Sequence, residues 1–568
     1  MALPEGEGDA SNYGGAALPV LRLWWRAVRM GMTGGNGAGK TGTGMSGQAE
    51  KSYDAVVIGS GLGGLTAAAL LAHEGRRVCV LEGHTSMGGA ASCYRVGSLT
   101  IEASLHETAD PHDPRDPKHA ILKKLGLLDE LDWVKVPALQ TIVGGPLGDT
   151  PFVLPHDFGA AQAALAARFP AEAAGIARLM ARMREAYDTL GQLQGAADAP
   201  SLMGMAAAAP ALVHLLGQWR QSLGEVLEQE LKGNEAAKCA LAGNLLYYGD
   251  DPARLWWLFF AAAQGGYIGS GGVYVRGGSA ALSRAMARLV KRKGGDVLMG
   301  RKAVAVETGA DGAPVAVRHL GKDGVETRFA TRTVLANCAP QLLAEMLPEG
   351  VRAGFAEPYR EKPLSVSLFS AHFGLAVAPQ RFGLQSYSTV ILPGSMTALD
   401  DFAQAGAAAA GLPGDSLPPL TVVNYGAIDS GLDNGDLTLV TVVGLDRVAN
   451  WQGMAREDEQ AKRAAWLSAI EGELERRYPG FAGAVKEKVF VSARSMRSYL
   501  ETPDGAVYGF APEVPEHSFL AGSPRSVSTA VPGLYLASAF GGFGGFSGAM
   551  GAGGLAARAA ERFLKDGG

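Results

Sequence analysis

The stretch "YDAVVIGSGLGGLTAAALLAHEGRRVCVLE", residues 53–82, restricts what this 568-residue chain can fold into more than any other. "YDAVVIG" is a short apolar run rich in β-branched residues, as found in a buried parallel strand. The loop "GSGLGG" sets Gly59, Gly61 and Gly64 at the G-x-G-x-x-G spacing. "LTAAALLAHEG" continues as an Ala/Leu helix, and a second strand, "RRVCVLE", ends in Glu82. The residue types divide the work of such a site. Gly59 makes the turn, Gly61 lets backbone approach a pyrophosphate, Gly64 lets helix pack on strand, and Glu82 accepts from ribose hydroxyls. The glycines alone are a weak signal, but the complete strand–loop–helix–strand–acid unit predicts a Rossmann-type dinucleotide site. Ser60 and Gly63 in the loop, and Gly83 after the acid, are assigned to the same site.

Two other glycine patterns compete with it. "GGNGAGKTG", residues 34–42, fits the phosphate-loop pattern G-x-x-x-x-G-K-[ST] but lacks the strand that would deliver it and the helix that would leave it, so it reads as a glycine-rich linker. "GAGGLA", residues 551–556, fits G-x-G-x-x-A. Too few residues follow it before Gly568 for a second strand and acid, so a closely packed helix is expected there and a separate NAD(P)H site is not.

Composition narrows the class. A net charge of −5 spread along the chain points away from nucleic acid. Cys79, Cys93, Cys239 and Cys338 are far apart, which suggests neither a disulfide frame nor a metal site. The acidic start "MALPEGEGDASN" is unlike a targeting peptide. "LPVLRLWWRAVRM" has an Arg face and a Trp/Leu side suited to a membrane surface, though a disordered extension over residues 1–51 fits equally well. A cytoplasmic protein associated peripherally with membrane is expected.

After Glu82 comes "GHTSMGGAASCYRVGSLTIEASLH", whose Gly88–Gly89 pair resembles the segment that covers the pyrophosphate of FAD in flavoproteins. From there on the chain is similar to the phytoene desaturase, carotenoid isomerase and retinol saturase group of FAD oxidoreductases. "IEASLHE" resembles the group's F-D-x-G-x-H segment, with Glu102, Ser104 and His106 in register. "GGVYVRGGSAALSRAMARL" resembles its Y-P-x-G-G segment with Arg276, Gly277 and Gly278, and sets Ala303 where backbone meets adenine. "TVLANCAP" resembles the strand returning to the FAD domain, and "GLYLASAFGGFGGFSGAMGAGGLAARAAERFL" the closing strand, loop and helix, with Ala539 and Gly548, Ala549 and Met550 against the flavin.

The resemblance implies an α/β fold. A discontinuous Rossmann-type FAD-binding domain of glutathione-reductase and amine-oxidase kind would take 52–150, 273–345 and 505–568. A helical lid, membrane-associated, would take 151–272, and a substrate-binding sheet domain 346–504. It also implies FAD as cofactor, with the N-terminus of the last helix turned to the flavin N1–C2=O edge.

The apolar runs "SLMGMAAAAPALVHLLGQW" and "ARLWWLFFAAAQGGY" suit a greasy substrate. They read as a lid dipping into one leaflet, as buried core, or as a membrane span, the last opposed by Pro200, Pro210, His214 and Gln218. An unactivated polyene needs a dry apolar tunnel more than acid–base groups. His106 and Tyr508 are the catalytic candidates carried over from the resemblance. Three activities stay open: a desaturase or saturase of an isoprenoid, carotenoid or retinoid-like chain, a cis–trans isomerase using reduced FAD, and a prenyl-lipid carrier without chemistry. The electron partner of the first, acceptor or donor, stays open, a quinone and oxygen being two candidates.

Overall fold

The computed structural model describes residues 51–104, 106–195, 213–518 and 525–567. The phosphate-loop pattern at 34–42, the "LPVLRLWWRAVRM" stretch and residues 201–212 of the first apolar run lie outside them.

The chain passes through β1 (Ser52–Ile58), α1 (Leu62–His73), β2 (Val78–Glu82), β3 (Gln140–Gly144), β4 (Phe152–Leu154), α2 (Ala173–Gly195), α3 (Trp257–Ser270), α4 (Ser279–Arg292) and β5 (Asp296–Met299). It continues through β6 (Lys302–Thr308), β7 (Pro314–Leu320), β8 (Glu326–Ala336), β9 (Ser367–Leu375), β10 (Ser388–Leu392), β11 (Leu420–Asn424), β12 (Thr438–Asp446), α5 (Arg456–Arg477), β13 (Val485–Val491), β14 (Leu534–Leu536) and α6 (Gly545–Lys565).

The first sheet has the order β5-β2-β1-β8-β7-β6, and β14 also pairs with β8. The strands β5, β2, β1, β8 and β14 are mutually parallel, and β6, β7 and β8 form an antiparallel meander. Parallel strands covered on both faces must be apolar throughout, and β2 is buried at every position. Val57 and Val80 face the cluster formed with α1, α4 and α6, while Val56 and Leu81 face the opposite cluster with Leu343, Phe355 and Phe510.

The second sheet, β13-β9-β12-β11-β10-β3-β4, is antiparallel apart from the β10–β3 pair. Its residues alternate cleanly between two faces. Phe369, Ala371 and Phe373 of β9 pack with Trp466, Ile470 and Leu474 of α5, whereas Leu368, Ser370 and His372 turn to a large internal cavity.

Two expectations are corrected here. The substrate-side sheet begins at Gln140, so the boundary at 150 cuts through a unit whose first strands, β3 and β4, join it by pairing with the much later β10. Local sequence carries no mark of so distant a partner. Trp256 and Trp257 do not face a bilayer: they are 7% and 0% exposed, and their indole N–H groups donate to Trp219 O (2.7 Å) and Gln218 Oε1 (2.8 Å). Arg182 lies 5.0 Å above the Trp257 ring. The second apolar run is core, and no helix among the described residues is long and apolar enough to cross a membrane.

Candidate active site

The loop after β1 is held by side chains as much as by its own backbone. Gly59 turns at φ 91°, which a side chain would strain. Ser60 donates from N (2.8 Å) and Oγ (2.6 Å) to Glu82 Oε2, and Glu82 Oε1 accepts from His84 N at 2.7 Å. Oε1 accepts one bond and keeps a second lone pair, so the acid retains acceptor capacity for ribose hydroxyls. Gly88 closes on the same loop: its N–H meets Ser60 O at 3.0 Å, and Gly61 and Gly88 form a parallel bridge. A Cβ on Gly89 would sit 3.4 Å from Gly61 Cα. Two glycine loops thus face each other with only the small Ser60 hydroxyl, 3.2 Å from Gly88 N, between them.

Three chain segments meet on this cradle. Asn337, where β8 ends, accepts from Gly64 N at 3.2 Å, and a Cβ on Gly61 would overlap its amide nitrogen. A Cβ on Gly64 would press on Gly59 O and Val57, in keeping with its expected part in helix–strand packing, and one on Gly63 would strike Ala537 O and come 2.9 Å from Ala549 O. A Cβ on Gly553 would run into Gly63 O. Gly553 therefore serves the close contact of α6 with α1, while Gly551 and Gly554 face Pro117 and Ile121.

Gly59, Gly61, Gly63, Glu82, Gly83, Gly88, Gly89, Ala303, Ala539, Gly548 and Ala549 all line one cavity of about 3360 Å³. Ser60 and Met550 are fully buried behind the lining. Arg276 is not at the site: its side chain is 47% exposed and pairs with Asp429 (3.1 Å) and Asp132 (3.8 Å), because surface carboxylates offer it solvated partners. The Glu102 carboxylate instead caps α4, accepting from Ser279 N at 2.7 Å and Ser279 Oγ at 2.5 Å.

A flavin dinucleotide fits this surface. Ala303, the facing glycine loops and the α6 N-terminus lie along a single cavity, and its volume is more than three times the roughly 1,000 Å³ upper range of small-molecule pockets. At the α6 end, buried Lys118 contacts Asp116 Oδ2 (2.8 Å) and Ser547 Oγ (2.5 Å). Burial pushes its ammonium pKa down, and Asp116 opposes this. Because Asp116 neutralises the ammonium, the positive end of the α6 dipole is what an electron-rich cofactor edge would meet there.

Beyond the cradle the cavity is walled by Trp219, Trp256, Phe259, Phe543 and Tyr267 on one side and by the second sheet on the other. His106 and Tyr508 both line it. His106 Nδ1 is 2.5 Å from Tyr247 Oη, its carbonyl accepts from Tyr387 Oη, and burial pushes its pKa down to about 4. Tyr508 packs on Gly544 ahead of α6, and burial keeps its phenol protonated.

Several lining groups escaped sequence reasoning. His372 sits between Ser370 Oγ and Thr441 Oγ1, each at 2.9 Å, and burial pushes it down to about 3. Gln140 is 2% exposed, and neither amide atom has a partner among the described residues. These polar positions recur at alternate residues of the strand-like runs, a signal that shows a face but not what it faces.

A Rossmann cradle opening into an apolar chamber roofed by a second sheet defines a two-domain dinucleotide oxidoreductase fold. Residues 57–116 match the family of NAD(P)-binding Rossmann-like domains. All-trans-retinol 13,14-reductase of Rattus norvegicus is 26% identical over 86% of this chain and 82% of its own. The neurosporene-forming phytoene desaturase of Rhodobacter capsulatus is 25% identical over 87% of this chain and 91% of its own. The solved cyclohexylamine oxidase of Brevibacterium oxydans is 14% identical, with a TM-score of 0.56 over 91% of this chain and 99% of its own, a likeness of fold. The chain is an oxidoreductase, similar to the group that contains phytoene desaturases, carotenoid isomerases and retinol saturases.

Proposed function

We propose that the chain binds FAD along the glycine cradle and adds hydrogen to, or removes it from, a carbon–carbon bond of an apolar isoprenoid, carotenoid or retinoid-like substrate. The continuity of cradle and aromatic chamber in one cavity carries this reading, since it lets a long apolar molecule reach the cofactor without meeting water. FAD supplies two-electron hydride chemistry when bound. Glu82 would hold its ribose, the Gly61 and Gly88 loops its pyrophosphate, Ala303 its adenine, and Gly548 and Ala549 its ring system. His106, neutral at physiological pH, would act with Tyr247 and Tyr508 as a wall that orients substrate rather than as a proton donor.

A substrate of this class is retained in bilayers at about 0.8 kcal/mol per methylene, so we read the protein as working at a membrane surface, with a quinone or oxygen as electron acceptor only where hydrogen is removed. The test is to purify the protein, release and identify its cofactor by absorbance and mass spectrometry, and compare pigments and lipids of a host with and without the chain. A colourless protein that leaves the isoprenoid profile untouched refutes the proposal.

A further inference from the structure

Glu107 follows His106 and lines the same cavity. Its side chain is 15% exposed, opening on that cavity, while Oε2 is buried and has no hydrogen-bond partner among the described residues. The nearest basic group among them is His156, with Nε2 at 3.9 Å. That nitrogen accepts the Gly272 N–H at 3.2 Å, and Nδ1 faces Tyr267 O at 2.9 Å. A ring that accepts at Nε2 and donates at Nδ1 is neutral and has no proton to offer the carboxyl.

The remaining groups around it are Tyr247, Tyr248, Tyr267, Tyr387 and His106. Burial raises the phenols and lowers the imidazole, so none of them carries charge near pH 7. Packing against the chain is close, because a Cβ on Gly272 would overlap Oε2. A carboxylate here would be largely enclosed and without a counter-ion, and desolvation accordingly pushes this carboxyl well above its usual range.

We propose that Glu107 is the acid that gives a proton to substrate carbon when a C=C bond is saturated in this cavity, so that the enzyme works in the reducing direction. This rests on the flavin and apolar-substrate reading above. One alkene carbon receives a hydride from the reduced cofactor. The π electron pair takes the Glu107 proton at the other carbon, forming the second C–H bond. The alkene gains two electrons, the cofactor loses two, and the carboxylate left behind is reprotonated from solvent. Desaturation would instead call for an ionised base, which this environment disfavours.

The test uses purified holoenzyme and Glu107→Gln, with cofactor content measured in both. Infrared difference spectra at neutral pH should show the carbonyl band of a protonated carboxylic acid in the wild type that is missing from the variant. With dithionite-reduced enzyme and all-trans-retinol in D2O, the wild-type product should carry two deuteriums, one on each former alkene carbon, because the N5–H of a reduced flavin exchanges with solvent as the Glu107 proton does. Glu107→Gln should slow this single turnover about 100-fold or more at unchanged cofactor content, and Glu107→Asp should recover part of the rate. A missing band, or a full rate in Glu107→Gln, overturns the proposal. If retinol is not turned over, the substrate reading fails separately and the band alone decides whether Glu107 holds the proton.

Discussion

Replacing Gly61 by alanine separates two reasons for a glycine in the cradle. The G-x-G-x-x-G pattern assigns Gly61 to backbone approach by a pyrophosphate. In the structure its added Cβ would overlap Asn337 Nδ2, well inside the 3.0 Å that Cβ atoms essentially never breach, and would lie 3.2 Å from Asn337 Cγ. The amide must swing away, and it then gives up the Gly64 N–H it accepts at 3.2 Å. Overpacking costs about 1–3 kcal/mol and the lost hydrogen bond about 1 kcal/mol. Gly61→Ala should therefore lose about 2–4 kcal/mol in urea unfolding, with reduced cofactor at purification. Asn337→Gly vacates the space. The double variant should regain at least about 1 kcal/mol relative to the sum of the singles, a coupling that a double-mutant cycle measures. If the stability losses simply add, the collision with Asn337 is not the cause. If stability is regained while cofactor stays lost, approach by the pyrophosphate is the reason that counts.

Glu82→Ala removes the shared acceptor of Ser60 and His84, so the protein should be purified with a lower ratio of bound dinucleotide to polypeptide, read by absorbance after heat release. His106 lies near 4 in the folded state against about 6.5 unfolded, so its contribution is fully present above about pH 6.5 and is lost as pH falls toward 4. At about 1.4 kcal/mol per unit this is about 3 kcal/mol, and urea titrations should show wild type losing that much more than His106→Gln between about pH 7 and pH 4; equal losses would refute the assignment. Trp257→Ala should destabilise by about 3–5 kcal/mol in the same assay, because it opens a cavity in core rather than on a membrane-facing surface.

What could be read in the chain by itself is the part whose physics is local. A strand, glycine turn, helix, strand and acid follow one another within residues 53–82, and each constrains its neighbours through backbone reach and helix packing, so the cradle was legible before any fold was known. The second sheet was legible only as the substrate-binding sheet domain that the family resemblance implied for residues 346–504. Tertiary structure alone decided which distant segments meet: β3 beside β10, Asn337 over Gly61, and Glu107 among buried phenols and neutral imidazoles. It also took Arg276 out to the surface and Trp257 into the core. A side chain's charge state and exposure depend on neighbours brought together by long-range packing, and the local pattern around a residue holds no record of them.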